Sequence, residues 1–324
     1  MPMIGLCLTA CLLGLTARAG ATDPTIPPLP KAVSSFGAAV ADGSIYVYGG
    51  HSGKTHTYST ETTVGTFYRF KLEGGTKWEE LPGGPQMQGL ALVAHNGTII
   101  RIGGMQPRNK PGDPADNVSL ASAARFNPKV NKWEDLPELP APRSSHDAVV
   151  VGNTLVVAGG WQMNGAGQTP DWCDTLVLLD LAKPGAKWES VPQPFQGRAL
   201  TMAEHDGKVY VIAGLTPDGG TSHDVHIFNL ATRKWTTAPK IPGERMNGFS
   251  PAAVVLDGHL YVSPADGIVY RLSGDKWEPT VKLQTPRFVH RLVPIGGGKA
   301  LALGGASRAG NVAECEVVTP TKGH

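Results

Sequence analysis

Residues 131–161 read NKWEDLPELPAPRSSHDAVVVGNTLVVAGGW. The stretch holds a Trp, an extended run punctuated by prolines, an Arg, two apolar runs split by Gly152-Asn153, and a closing Gly-Gly. Gly and Asn tolerate positive φ, so the split predicts a two-residue hairpin turn. The pattern then returns along the chain. Runs ending on small residues begin at Ser44, Thr98, Thr154, Lys208, His259 and Lys299, spaced 54, 56, 54, 51 and 40 residues apart. A period in this range marks a solenoid or a propeller.

Each run follows another across a tight turn, at Asp42-Gly43, Asn96-Gly97, Gly152-Asn153, Asp206-Gly207, Asp257-Gly258 and Gly297-Gly298. Every unit therefore opens with a hairpin, strands a and b. A third run follows, as in 124–133 and 226–235. Phe126, Phe228 and Tyr270 each stand seven residues before a Trp. Trp78, Trp133, Trp188, Trp235 and Trp277 each open a fourth run that ends in prolines. Val, Ile, Tyr and Thr crowd these runs, and alternation is visible in 45–48, which excludes a helical repeat.

Four strands per unit, with Gly-Gly after the second and Trp in the fourth, resembles the Kelch repeat over residues 23–318. The fifth unit departs, with Ser263-Pro264-Ala265 in place of Gly-Gly. There are six a-b-c sets and five Trp-led d strands. The sixth d strand is expected from the N-terminus, where TIPPLP (25–30) matches LPELP (136–140) and Asp23 takes the Trp position. The expected fold is all-β: a six-bladed β-propeller of four-stranded blades, closed by an N-terminal strand.

Lys+Arg 29 against Asp+Glu 27 gives a net charge of +2 without a basic block, so nucleic acid is not an expected partner. Residues 1–21 read as a secretory signal peptide, with Ala17-Arg18-Ala19 or Ala19-Gly20-Ala21 as the cleavage site, leaving 22–324 as the propeller. Secretion or a periplasmic location follows. The alternative is a lipid anchor, because residues 8–11 (LTAC) resemble a lipobox ending at Cys11. No membrane span is expected: the first apolar run is too short. Cys173 and Cys315 fall on blades 3 and 6, opposite in a six-membered ring, and are expected as unpaired thiols.

Alternating strand direction puts the b–c loops and the d–a junctions on one face. The b–c loops of blades 1–3 are long (51–64, 105–120 and 161–171) and direct attention to that face. His51 and His56 read as a metal half-site or as solvated loop residues. No third ligand has the spacing, so no metal is expected. His223 and His226 point to opposite faces of a strand and make no site. The 105–120 loop, with Arg108, Lys110, Asp113 and Asp116, is a polar lid or a solvated insertion. Trp161 and Trp172 either stack on a sugar ring or cover the blade end.

Ten residues beyond Trp133, Trp188, Trp235 and Trp277 stand Arg143, Arg198, Arg245 and Arg287; Trp78 gives Gln88. His146 and His290 lie three further on. Arginine's fork suits carboxylate or phosphate. The ring of arginines is thus either an anion clamp or a set of fasteners on backbone carbonyls and neighbouring acids. The expected partner is a small anionic or carbohydrate ligand, or a peptide, bound by a monomer without a cofactor. The resemblance extends to exported bacterial sialic acid mutarotases, which implies acid–base chemistry beside a carboxylate clamp, with His146, His290 and Glu244 as candidates. Kelch-type copper oxidases need a Tyr/His copper set and a Cys–Tyr crosslink, and no such cluster is found.

Overall fold

Asp42 and Gly43 both take positive φ (45° and 68°), the geometry that turns a strand straight back on itself. The turn joins Gly37–Ala41 to Ser44–His51, and four-stranded antiparallel blade 1 continues with Thr63–Lys71 and Glu79–Leu81. A computed structural model describes residues 25–321 of the chain, and in it the same order recurs. Blade 2 comprises Ala91–His95, Thr98–Ile102, Ala123–Asn127 and Lys132–Leu136. Blade 3 comprises Asp147–Val151, Thr154–Ala158, Thr175–Asp180 and Glu189–Pro192. Blade 4 comprises Thr201–His205, Lys208–Leu215, Thr221–Asn229 and Lys234–Ala238. Blade 5 comprises Ala252–Leu256, His259–Ser263, Ile268–Ser273 and Lys276–Lys282. Blade 6 has three strands: Arg291–Gly296, Lys299–Leu303 and Glu316–Val318. The a strands touch in cyclic order, the sixth against the first, so the fold is the expected six-bladed propeller.

The core sits between blades. Six apolar clusters fill the six seams, for example Tyr48, Phe67, Leu90, Ile99 and Phe126 between blades 1 and 2. The blade tryptophans work at these seams. Each donates its indole N–H to a proline carbonyl of the preceding blade at 2.8–3.0 Å: Trp133 to Pro82, Trp188 to Pro137, Trp235 to Pro192 and Trp277 to Pro239. Each bond contributes roughly 1 kcal/mol net. Phe126 and Phe228, seven residues before their Trp, lie directly across the c–d strand pair, with ring centroids 5.2 and 5.0 Å apart.

Trp78 makes the same bond to Pro27, so the N-terminal segment takes the place of the sixth d strand. Pro27 stands four residues after Asp23, as Pro82 stands four after Trp78. Ile26, Leu29 and Val33 pack in one cluster with Val293 and Leu301 of blade 6 and Ile45 and Phe70 of blade 1. The segment is extended rather than a regular ladder, with a bond from the Leu29 N–H to the Ala313 carbonyl. Pro27, Pro28 and Pro30 have no N–H to add more. Residues 1–21, expected as a signal peptide, and Cys11 within them lie outside the described residues.

The Gly-Gly pairs close strand b where the next blade presses in. A Cβ on Gly159 would stand 2.3 Å from Leu200, one on Gly103 2.6 Å from the His146 ring, and one on Gly304 2.6 Å from Phe36. All three glycines hold positive φ. Phe36, Leu90, His146, Leu200, Pro251 and His290 each follow a positive-φ residue at the start of a blade, and they form one equivalent set.

Candidate functional site

Residues of the d–a junctions form two-bond backbone bridges with residues just past strand b: Ser34 with His51, Gln88 with Met105, Ser144 with Trp161, Arg198 with Leu215, and Phe288 with Ala306. These bridges set the true register of the mouth. Gln88 and Arg198 are equivalent to each other and to Ser144 and Phe288. Arg143 and Arg287 fall one residue earlier. In an extended segment a single step reverses the side-chain direction, and the four arginines part company.

Arg143 is 3% exposed and turns into blade 3. It donates to the carbonyls of Gly159 (3.2 Å) and Thr175 (2.8 Å) and to the Thr175 hydroxyl. Arg287, 1% exposed, does the same in blade 6, to the carbonyls of Thr285, Gly304 and Glu314 and the carboxylate of Glu316. These two tie strands b and c of their own blade, and no anion clamp forms from them. Arg245 opens a short 3-10 helix, Arg245–Gly248, and is exposed beside exposed Glu244, outside the cavity lining.

Arg198 alone of the four reaches the axial cavity, a space of about 420 Å³ on the long-loop face. Its guanidinium lies over the Trp161 ring at 3.8 Å and 5.7 Å from the Trp172 ring. The two indoles pack on one another, centroids 5.7 Å apart, at the base of a small hairpin, Trp161–Gln162 with Asp171–Trp172. Its Nε is buried without a partner, and among the described residues no carboxylate pairs with it. Burial lowers its hold on the proton, opposed by nearby Tyr58, whose own pKa burial raises. A desolvated cation without a counter-ion is costly, and stacking on Trp returns only about 0.5–2 kcal/mol.

The three long loops lean together over blades 1–3 as one canopy. Thr60 N–H donates to the Asn109 carbonyl, the Asn109 amide donates to the Tyr58 carbonyl, and Ser119 N–H donates to the Met163 carbonyl. Asp116 pairs with Arg108 at 2.8 Å and accepts from Ala166 N–H of the next loop. The 105–120 loop is thus a strut between its neighbours as well as a polar insertion. Tyr58, exposed His56, Asn117 and Met163 hang from this canopy into the cavity. His51 is 4% exposed, its Nε2 3.1 Å from the Thr57 carbonyl and its ring against Tyr58. It is a loop anchor, and among the described residues no three His, Cys, Asp or Glu side chains are grouped to hold a metal. Cys173 and Cys315 are free thiols, both pushed up by burial, Cys315 to about 12.

Gln88 lines the cavity but is 5% exposed and donates to the Thr63 hydroxyl. His146 and His290 edge the floor at 3% and 2% exposure, with neither ring nitrogen hydrogen-bonded. Burial, reinforced by the guanidinium of Arg291 and by Arg143 or Arg287, pushes each pKa down to about 3. They fill the wedge position that Leu90 and Leu200 fill elsewhere, and such neutral, enclosed rings are poorly placed to exchange protons with a ligand.

Sequence reasoning missed the floor itself. Arg291 on blade 6 reaches across the axis: Nε donates to the Phe36 carbonyl, Nη2 to the Leu90 carbonyl, and Nη1 to Asp147 of blade 3. The other Asp147 oxygen accepts from Thr201 and from Met202 N–H. Glycine, alanine and threonine at equivalent starts of the other a strands (Gly37, Ala91, Thr201, Ala252) leave room for this arm. The available signal was one charge of each sign opening otherwise apolar a strands on opposite blades.

A family model described as the KLHDC2/KLHL20/DRC7 Kelch-repeats domain matches residues 89–305, and the Kelch motif matches residues 32–85. The chain is 25% identical over 281 residues to the Kelch-like protein terF of Aspergillus terreus, covering 85% of this chain and 57% of that one. It is 30% identical over 161 residues to human Kelch-like protein 33, covering 49% and 27%. It thus spans between about a quarter and somewhat over half the length of these two relatives. Among solved structures, YjhT superposes with a TM-score of 0.75 at 15% identity, over 92% of this chain and 97% of that one, a likeness of fold.

Proposed function

Because this chain belongs to the Kelch-repeat family, we propose that it is a binding propeller whose ligand is a small carboxylate-bearing molecule held by Arg198 in the axial cavity. One observation carries the reading: a half-buried guanidinium, stacked on Trp161, facing a cavity with no counter-ion among the described residues. A carboxylate entering there gains charge-assisted bonds of roughly 1.5–3 kcal/mol. The cavity volume suits a small molecule. Tyr58 and Asn117 supply further polar contacts from the canopy. Acid–base catalysis of the mutarotase kind finds no support in His146, His290 or Glu244, so binding is the preferred reading.

The test is calorimetry with a panel of carboxylates and their neutral amides on wild-type protein and Arg198→Gln. Carboxylates should bind wild type and lose about 1.5–3 kcal/mol on the variant, with the amides weak on both. Equal binding of acid and amide, or no effect of the substitution, would remove Arg198 as the anchor. Export through residues 1–21 belongs to the same proposal: the native protein should begin near Gly20 or Thr22, and a lipidated Cys11 at the terminus would replace secretion with anchoring.

A further inference from the structure

We infer that the end of blade 4 is a binding site for a guanidinium group brought from outside, the side chain of free arginine or of an arginine in a peptide. The register of the mouth gives each blade one residue two places before the positive-φ residue at its start: Val33, Met87, Arg143, Gly197, Gly248 and Arg287. Val33 and Met87 fill this position with buried hydrocarbon. Arg143 and Arg287 fill it with a cation that two carbonyls hold, those of Gly159 and Thr175 in blade 3 and of Gly304 and Glu314 in blade 6. In blade 5 a Cβ on Gly248 would meet the Ser222 carbonyl at 2.5 Å, so no side chain fits. Blade 4 differs from all of these. A Cβ on Gly197 would meet no atom beyond its chain neighbours nearer than 3.7 Å, and beside Gly197 lies a space of about 590 Å³. Arg198, the next residue, turns the other way into the axial cavity.

The walls of this space repeat those that hold Arg143 and Arg287. Val211 pairs with His226 as Val157 pairs with Val177, so Ala213 and Asp224 occupy the places of Gly159 and Thr175. Ala213 holds φ at 61°, against 69° at Gly159 and 50° at Gly304, so strand b ends in the same backbone shape. Ala213 and Asp224 both line the space, with Asp218 and Lys240 as its other charged residues. Asp224 supplies what Glu316 supplies to Arg287, a carboxylate beside the carbonyls. Its partner is Lys240 at 3.0 Å, a side chain 74% exposed and thus at the rim. An exposed pair of this kind contributes little and yields readily to a better-fitting cation. A guanidinium offers a planar fork that reaches two carbonyls and a carboxylate together, where an ammonium is a point charge. Blades 3 and 6 hold that fork in the same backbone, and among the described residues no arginine lines the space in blade 4.

The test titrates wild-type protein with N-acetyl-arginine amide, N-acetyl-lysine amide and N-acetyl-citrulline amide, followed by NMR of the histidine rings. The arginine compound should bind at least tenfold tighter than the other two. It should shift the signals of His223 and His226, which line the space, and leave those of His146 and His290 in place. Gly197→Arg should fill the site from within, raising the melting temperature and abolishing the binding. Free arginine and the peptide Gly-Arg-Gly then separate the sources, the tighter of the two naming the form that the site takes. No binding of the arginine compound, equal binding of all three, or shifts at His146 and His290 in place of His223 and His226 would overturn the inference. The wild-type comparison needs no variant to fold.

Discussion

Arg291 and Asp147 meet at 3.0 Å across the propeller axis, although 144 positions separate them in the chain. They are equivalent residues of opposite blades, so one ion pair ties blade 6 to blade 3. The same guanidinium also holds carbonyls of blades 1 and 2, and the carboxylate holds Thr201 and Met202 of blade 4. Five of the six blades are thereby joined at one point.

Asp147→Ala should therefore destabilise the fold by about 3–5 kcal/mol, because it strands the Arg291 charge in a largely enclosed site. Asp147→Ala with Arg291→Met should recover much of that loss. Urea denaturation of both singles and the double variant gives the coupling energy; additive losses would show that the pair is not a unit.

Arg143→Ala and Arg287→Ala should each cost about 2–4 kcal/mol, since several buried carbonyls lose their donor. Arg198→Ala should be within about 0.5 kcal/mol of wild type, or slightly stabilising, because it removes a half-buried cation that has no counter-ion among the described residues. Melting temperatures of the three variants on one instrument decide it. A loss at Arg198 matching that at Arg143 would make it a fastener too.

His146 and His290 predict acid sensitivity. Each titrates near 6.5 when unfolded and near 3 when folded. The unfolded chain binds more protons between these values, so their contribution is complete above about pH 6.5 and declines as pH falls toward 3. The slope is about 1.4 kcal/mol per pH unit for each histidine. His146→Leu with His290→Leu, copying Leu90 and Leu200, should flatten the stability profile between pH 6 and 4. A slope unchanged by the double variant would assign the acid lability to carboxylates.

The N-terminal segment predicts a fourth outcome. Leu29 is 5% exposed in the seam of blades 6 and 1, and Leu29→Ala should cost about 2–4 kcal/mol. Deleting residues 22–30 should cost more, because the Trp78 indole N–H also loses Pro27. Thermal unfolding of both proteins checks it, and a deletion that melts like the parent would place the segment outside the fold.

The ring was readable because its signals are local. Turn pairs such as Asp42-Gly43 and Trp-led proline runs mark each blade, and LPELP against TIPPLP revealed how it closes. The arginine rim was misread because the path from Trp to the mouth varies between blades, and in blade 5, where the short helix intervenes, it reaches fourteen residues, from Trp235 to Phe249. It takes ten steps from Trp188 to Arg198 and eleven from Trp133 to Ser144, and one step reverses a strand side chain. Counting from Trp therefore mixed buried Arg143 and Arg287 with Arg198. Arg291, Asp147 and the bonds knitting the canopy depend on contacts between distant blades, for which no local pattern exists.

The Arg291 arm also bears on time rather than affinity. Lying across the axis, it lines both the cavity and a second, smaller space edged by Leu92, Asp147 and Met202, and so stands between a ligand held as proposed and that space. A second molecule cannot push the first out from behind, so exchange must pass through an empty cavity. The off-rate measured by chase should then be the same at every concentration of competitor, and Arg291→Ala, if it opens a rear exit, should be the substitution that changes it.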